Sequence, residues 1–139
     1  MGIKIERTEV WVAEMEDQPG TLASKLTALA DAGADLEFMV ARRAPDKPGF
    51  GIVFLTRLEG DAQTKAARQN GFSVSDSLHS IRVTGDNEPG IGAEMTTKLA
   101  NAGINLRGVS AGVVGDGFIM HLALDTEAEA TKAIEVLGG

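Results

Sequence analysis

Residues 14–26 read EMEDQPGTLASKL, and residues 84–99 read TGDNEPGIGAEMTTKL. Each stretch sets an acid or amide two positions before a Pro-Gly pair and then opens a helical pattern. A shift of seventy positions superposes them without a gap. Asp17-Gln18-Pro19-Gly20 falls on Asn87-Glu88-Pro89-Gly90, and Leu29-Ala30-Asp31-Ala32-Gly33 falls on Leu99-Ala100-Asn101-Ala102-Gly103. Asp35-Leu36 falls on Asn105-Leu106. Farther along the shift drops to 67, where TKAA from Thr64 meets TKAI from Thr131, so the first copy has the longer middle loop, ARRAPDKPGFG. A solenoid needs more copies than this, so the chain reads as two modules of roughly 65 residues.

The modules share one pattern. EVWVAEM (9–15) and SIRVTG (80–85) alternate as half-buried strands do. Leu22, Leu26 and Leu29 have helical spacing, as do Met95, Leu99 and Ala102, and Gly33 and Gly103 sit where a helix end wants a left-handed residue. DLEFMVARR and NLRGVSAGVV read as second strands, GFGIVFLT and GFIMHLAL as third strands. Gly115-Asp116-Gly117 suits a tight hairpin turn. DAQTKAARQNG and TEAEATKAIEVLGG read as second helices, the latter running to Gly139. The order β-α-β-β-α-β is the ferredoxin-like split βαβ unit, used twice. The expected class is α+β, with antiparallel sheets and helices on one face of each.

FSVSDS (72–77) supplies a fourth strand for the first module, and nothing after the last helix does so for the second. Extending the alignment backward sets GIKIER (2–7) on FSVSDS. Ile3 and Ile5 alternate with Lys4 and Glu6, as in an edge strand with one buried face. The expectation is therefore a first module over 8–78 and a second over 79–139, with residues 2–7 as the second module's fourth strand.

Composition narrows the function. The chain has 139 residues, 43% of them hydrophobic, enough for one ordinary domain or two very small ones. A net charge of -7 opposes nucleic acid and anionic membranes as partners. With no cysteine, disulfides, thiolate catalysis and thiolate metal sites are excluded. No apolar run approaches the ~20 residues of a membrane span. The opening MGIKIERTE is interrupted by Glu6 and Glu9, unlike a signal peptide, so the expected location is cytoplasmic. His79 and His121 are the only histidines and no carboxylate pattern accompanies them. Neither a metal site nor a cofactor is expected. His121 is read as facing solvent within its strand, Arg42 and Arg43 as solvated, and Trp11 as a core or interface residue.

The Pro-Gly turn joins the first strand to the first helix. Its glycine lets the backbone pass close to another group. The amides of Thr21, Leu22, Ile91 and Gly92 are first-turn donors, suited to a carboxylate. Asp17 and Asn87 can accept from an ammonium group or cap the helix. On DQPGTLASKLTALADAGADLEFM and DNEPGIGAEMTTKLANAGINLRGV, each module resembles an ACT domain, a regulatory module attached to many enzymes of amino-acid metabolism. The likeness spans nearly the whole chain, twice.

The resemblance implies paired modules, a homodimer, and an amino-acid ligand held at module interfaces against the Pro-Gly loop. Carried over by position, it implies a first site of Asp17, Gly20, Thr21 and Leu22 with Asp35. The second is Asn87, Gly90, Ile91 and Gly92 with Asn105. Gly92 departs from the family's usual apolar residue and leaves more room, and Asp35 is an acid where Asn is frequent. The two sites should therefore differ, and a pocket containing Asn105 is the better acceptor. The expected function is a regulatory, ligand-sensing protein for an amino acid or similar small metabolite. The alternative is a ligand-free interaction or oligomerisation module. An enzyme is the least supported reading, since no nucleophile-base pair or metal cluster is present. The sequence does not name a partner enzyme.

Overall fold

The computed structural model describes residues 2–138, so the last position of the final helix pattern, Gly139, lies outside the described residues. In chain order the first elements are β1 (Lys4–Thr8), β2 (Trp11–Glu16), α1 (Thr21–Asp31), β3 (Phe38–Arg43), β4 (Phe50–Thr56), α2 (Gly60–Gln69) and β5 (Ser73–Val74). They are followed by β6 (His79–Asp86), α3 (Ile91–Asn101), β7 (Gly108–Val114), β8 (Gly117–Leu124) and α4 (Glu127–Gly138). Contacts divide the chain into a continuous unit, Glu9–Ser75, and a split unit of the residues up to Thr8 together with those from Asp76 onward.

The described residues form two four-stranded antiparallel sheets, ordered β5-β2-β4-β3 and β1-β6-β8-β7. These are the same order when each strand is counted within its module, the α+β arrangement expected from the β-α-β-β-α-β pattern. Alternation along the strands sends one set of side chains to the helices. In the continuous unit Trp11, Val53 and Leu55 meet Leu29 of α1, Ala67 of α2 and Phe72 in one buried cluster. In the split unit Ile81, Val83, Met120 and Leu122 meet Leu99 of α3 and Leu137 of α4.

Both first helices end alike. Gly33 (φ 88°) and Gly103 (φ 76°) follow the last turn in the left-handed region. The Gly33 and Ala34 amides donate to the carbonyls of Ala30 and Leu29, and those of Gly103 and Ile104 to Ala100 and Leu99. This double bond pattern closes the orphan carbonyls of each helix.

The N-terminal strand does complete the later sheet. β1 pairs with β6 from Lys4 opposite Thr84 to Thr8 opposite Ser80, and Ile3 and Ile5 pack on the split unit's core. Its register differs from the gapless alignment. That alignment equates Lys4 with Val74, which lies opposite Trp11. The residue opposite Ile81, the counterpart of Trp11, is instead Arg7. Pairing is set by which side chains must face the core, not by linear correspondence. The slip brings Ile3 beside Gly85, where an added Cβ would come within 2.9 Å of Ile3 Cγ2. The continuous unit has Met15 at that position, packed on its own core. Its fourth strand is correspondingly short: of FSVSDS only Ser73–Val74 is strand.

One bidentate pair of hydrogen bonds fastens β1 to α4, Arg7 Nη1 donating to Glu127 Oε1 at 2.5 Å and Nη2 to Oε2 at 2.6 Å. They hold the Glu127 carboxyl below the usual carboxylate range and push the Arg7 guanidinium up. His79 Nδ1 lies 3.4 Å from the same carboxylate.

His121 is a correction. It is 7% exposed rather than solvent-facing. It stands on β8, inside the sheet, between Arg82 of β6 and Ser110 of β7, and these neighbours crowd a face that alternation alone leaves open. Trp11, 2% exposed, is a core residue. Among the described residues no helix is long and apolar enough to cross a membrane, and no His/Cys/Asp/Glu group could hold a metal ion.

Candidate functional site

Each Pro-Gly pair forms the turn from a first strand into a first helix. Gly20 (φ 88°) and Gly90 (φ 86°) are the residues immediately before α1 and α3, and both take the left-handed conformation that glycine adopts without strain. An added Cβ at either would meet no atom within 4 Å. What requires glycine is therefore the backbone angle, and the space beside each loop is open. Neither helix has a side-chain cap, so Asp17 and Asn87 do not serve in that role.

The supply of free amides differs from the sequence expectation. Thr21 N–H donates to Gln18 O at 3.3 Å, and Ile91 N–H to Glu88 O at 3.2 Å. The first helical bonds run from Ser24 to Gly20 and from Glu94 to Gly90. The donors that each helix cannot satisfy itself are thus those of Leu22 and Ala23, and of Gly92 and Ala93. Each loop is also tied to its own hairpin: Asp17 N–H donates to Gly49 O at 3.0 Å, and Asn87 N–H to Asp116 O at 2.7 Å.

Within one unit the predicted residues do not all meet. Asp17, Gly20, Thr21 and Leu22 gather at the loop, as do Asn87, Gly90, Ile91 and Gly92. Asp35 and Asn105 precede β3 and β7, at the far end of those strands from the loops. Phe38 pairs with Thr56 and Arg43 with Gly51, so the length of β3 separates Asp35 from the Asp17 end. Six residues of strand span roughly 20 Å. No single unit brings both ends to one small ligand.

Two clefts adjoin the loops. The first, ≈ 240 Å³, is lined by Met15, Asp17, Thr21, Leu22, Arg42 and Arg43 among others. The second, ≈ 290 Å³, is lined by Ile3 of β1, Asp86, Glu88, Ile91, Glu94 and Lys98 among others. Both are smaller than the roughly 300–1,000 Å³ of drug-sized pockets. The second is acidic, with three carboxylates to one ammonium. Gly92 has open space around it, with nothing within 4 Å of an added Cβ, whereas Leu22 at the corresponding position packs on its core.

Sequence reasoning missed two arginines. Arg43, read as merely solvated, is 85% exposed at its side chain yet donates from Nε to Asp17 Oδ2 at 2.8 Å. Arg57 lies among three acids, 3.7 Å from Asp35, 2.6 Å from Glu37 and 3.3 Å from Glu59. Both candidate acids of the first site therefore carry a guanidinium partner. Seventy residues on, Arg43 becomes Val113. These pairs join positions far apart in sequence, so only the expected hairpin, which returns β3 beside the loop, hinted at the first.

No family model and no curated protein matches the sequence. The fold is shared with solved structures. Protein BT0572 from Bacteroides thetaiotaomicron superposes with a TM-score of 0.77 at 16% identity, over 94% of this chain and 88% of that one. The ligand-free regulatory subunit of aspartate kinase from Thermus thermophilus gives 0.67 at 16% identity, over 99% and 95%. That of Thermus flavus gives 0.60 at 15%, over 97% and 95%. With its two four-stranded sheets of the same strand order, duplicated Pro-Gly loops and end-to-end likeness to these regulatory subunits, the chain has the fold of a tandem ACT-domain protein.

Proposed function

We propose that this chain is a regulatory protein that senses an amino acid or a similar small metabolite through its Pro-Gly loops. The observation that carries the reading is the duplicated loop, which opens each first helix with two amides the helix does not satisfy and adjoins a cleft lined by Thr21 and Leu22 in the first unit and by Glu88 and Ile91 in the second. The aspartate-kinase regulatory subunits that share the fold support it by analogy. Because one unit cannot bring Asp17 and Asp35, or Asn87 and Asn105, to one ligand, the amide or acid would come from a second module. Ligand would then act by favouring one arrangement of modules over another. Regulation of a partner, rather than turnover, is the expected output.

A thermal-shift screen of the full chain against the twenty amino acids tests this. One or a few should raise the melting temperature, equivalent to about 2.7 kcal/mol at a hundredfold excess over Kd. Asn105→Ala should abolish the shift for a ligand held by the second loop.

The second reading, pairing without ligand, has its own support. β7 is an edge strand with no charged residue, and Val109, Val113 and Val114 are 47%, 58% and 71% exposed. Native edges are usually guarded by charge, as β3 is by Arg42 and Arg43. A homodimer formed through β7 fits that edge. Sedimentation of Val113→Lys checks it: a dimer that persists unchanged overturns β7 as the contact.

A further inference from the structure

We infer that Arg43 determines specificity in the first cleft, and that the Asp17–Arg43 ion pair holds the place of a zwitterionic α-amino acid. This rests on the sensing reading above and names what the first cleft selects. Asp17 and Arg43 both line the cleft and face each other at 2.8 Å. Arg43 is the last residue of β3, and its side chain is 85% exposed, so it can swing out to admit a ligand. An exposed pair of this kind is weakly held in water.

A free amino acid carries an ammonium and a carboxylate on one carbon. Its ammonium replaces the guanidinium on Asp17, and its carboxylate takes Arg43, with the amides of Leu22 and Ala23 behind. Met15, Leu22 and Ala41 offer an apolar wall to the side chain. A ligand with only one of the two charges displaces the Asp17–Arg43 contact and leaves one of the two without the partner it has in the free cleft. The first unit would therefore reject derivatives blocked at either end. The split unit has Asn87 and Val113 at these positions and lacks this filter.

The test is calorimetry on the full chain, using each amino acid that stabilises it, the N-acetyl and carboxamide derivatives of that amino acid, and the variants Arg43→Gln and Arg43→Lys. Arg43 is a surface residue, so both variants should melt as the wild type does without ligand. Arg43→Gln should weaken the free amino acid about tenfold or more while leaving the carboxamide's affinity unchanged, and Arg43→Lys should recover most of the loss. Any smaller loss, or blocked derivatives that bind as well as the parent, overturns the proposal. Binding abolished by Asn105→Ala but untouched by Arg43→Gln overturns it while leaving amino-acid sensing intact. No binding by any amino acid overturns both.

Discussion

The continuous and split units share a fold and a loop but differ in how they satisfy it. The continuous unit neutralises itself: Asp17 has Arg43, Asp35 has Arg57, and Met15 fills the space beside β2 with its own side chain. The split unit leaves those places neutral or empty. Asn87 and Asn105 stand for the acids, Val113 for Arg43. Gly85 leaves a gap that a distant segment, β1, comes to fill. The two copies share a backbone pattern and differ at the positions where the continuous unit supplies its own partners and the split unit does not.

The largest test of that contrast is removal of residues 2–7. Two half-buried isoleucines and an edge ladder would go, costing roughly 3–6 kcal/mol. Hydrogen exchange should show protection lost along β6 and α4 but kept along β2 and β4. Equal loss in both units, or none, would break the comparison. Next is Gly85→Ala. Its Cβ would press on Ile3 and Phe118 at 2.9 Å each, and denaturant unfolding should register a loss of about 1–3 kcal/mol. Combined with the deletion, which removes Ile3, it should cost visibly less.

Gly92→Ala goes the other way. The site is open and helical, so chemical denaturation should show a gain of about 0.4–1 kcal/mol. If the extra room at Gly92 admits ligand, the same variant should bind it more weakly. The smallest effect is expected from Glu127→Gln. Because Arg7 lowers the Glu127 pKa, that carboxylate contributes stability above the ordinary carboxylate range of the unfolded chain. The contribution fades as pH falls through the lower folded value. The wild type should therefore lose a small increment in acid that Glu127→Gln lacks at every pH.

Most of the fold was legible in the sequence because it is written in short-range patterns. Alternation marks the strands, leucine spacing marks the helices, and Gly33 and Gly103 mark where the first helices stop. Even the return of β1 to the second sheet followed from a backward extension of the repeat. Its register did not, since Ile3 and Ile5 specify a face and leave to Gly85 the choice of where along β6 they pair. The loops were legible as turns with helix amides, but the committed amides of Thr21 and Ile91 were not, because the Gln18 and Glu88 carbonyls that take them depend on the turn's geometry. Arg43 and Arg57 escaped notice for a related reason: an ion pair is a property of two positions, and neither sequence neighbourhood announces the other. His121 shows the limit of periodicity, which says which face a residue is on and nothing about how crowded that face is.

The split unit has a consequence for synthesis. β1 leaves the ribosome well ahead of its partner, with Lys4 waiting for Thr84. At about 5–20 residues per second that interval is roughly 4–16 s, during which the whole of Glu9–Ser75 is made. Until then Ile3 and Ile5 have no sheet to join. Intertwined dimers that exchange β1 are the characteristic misassembly this topology invites.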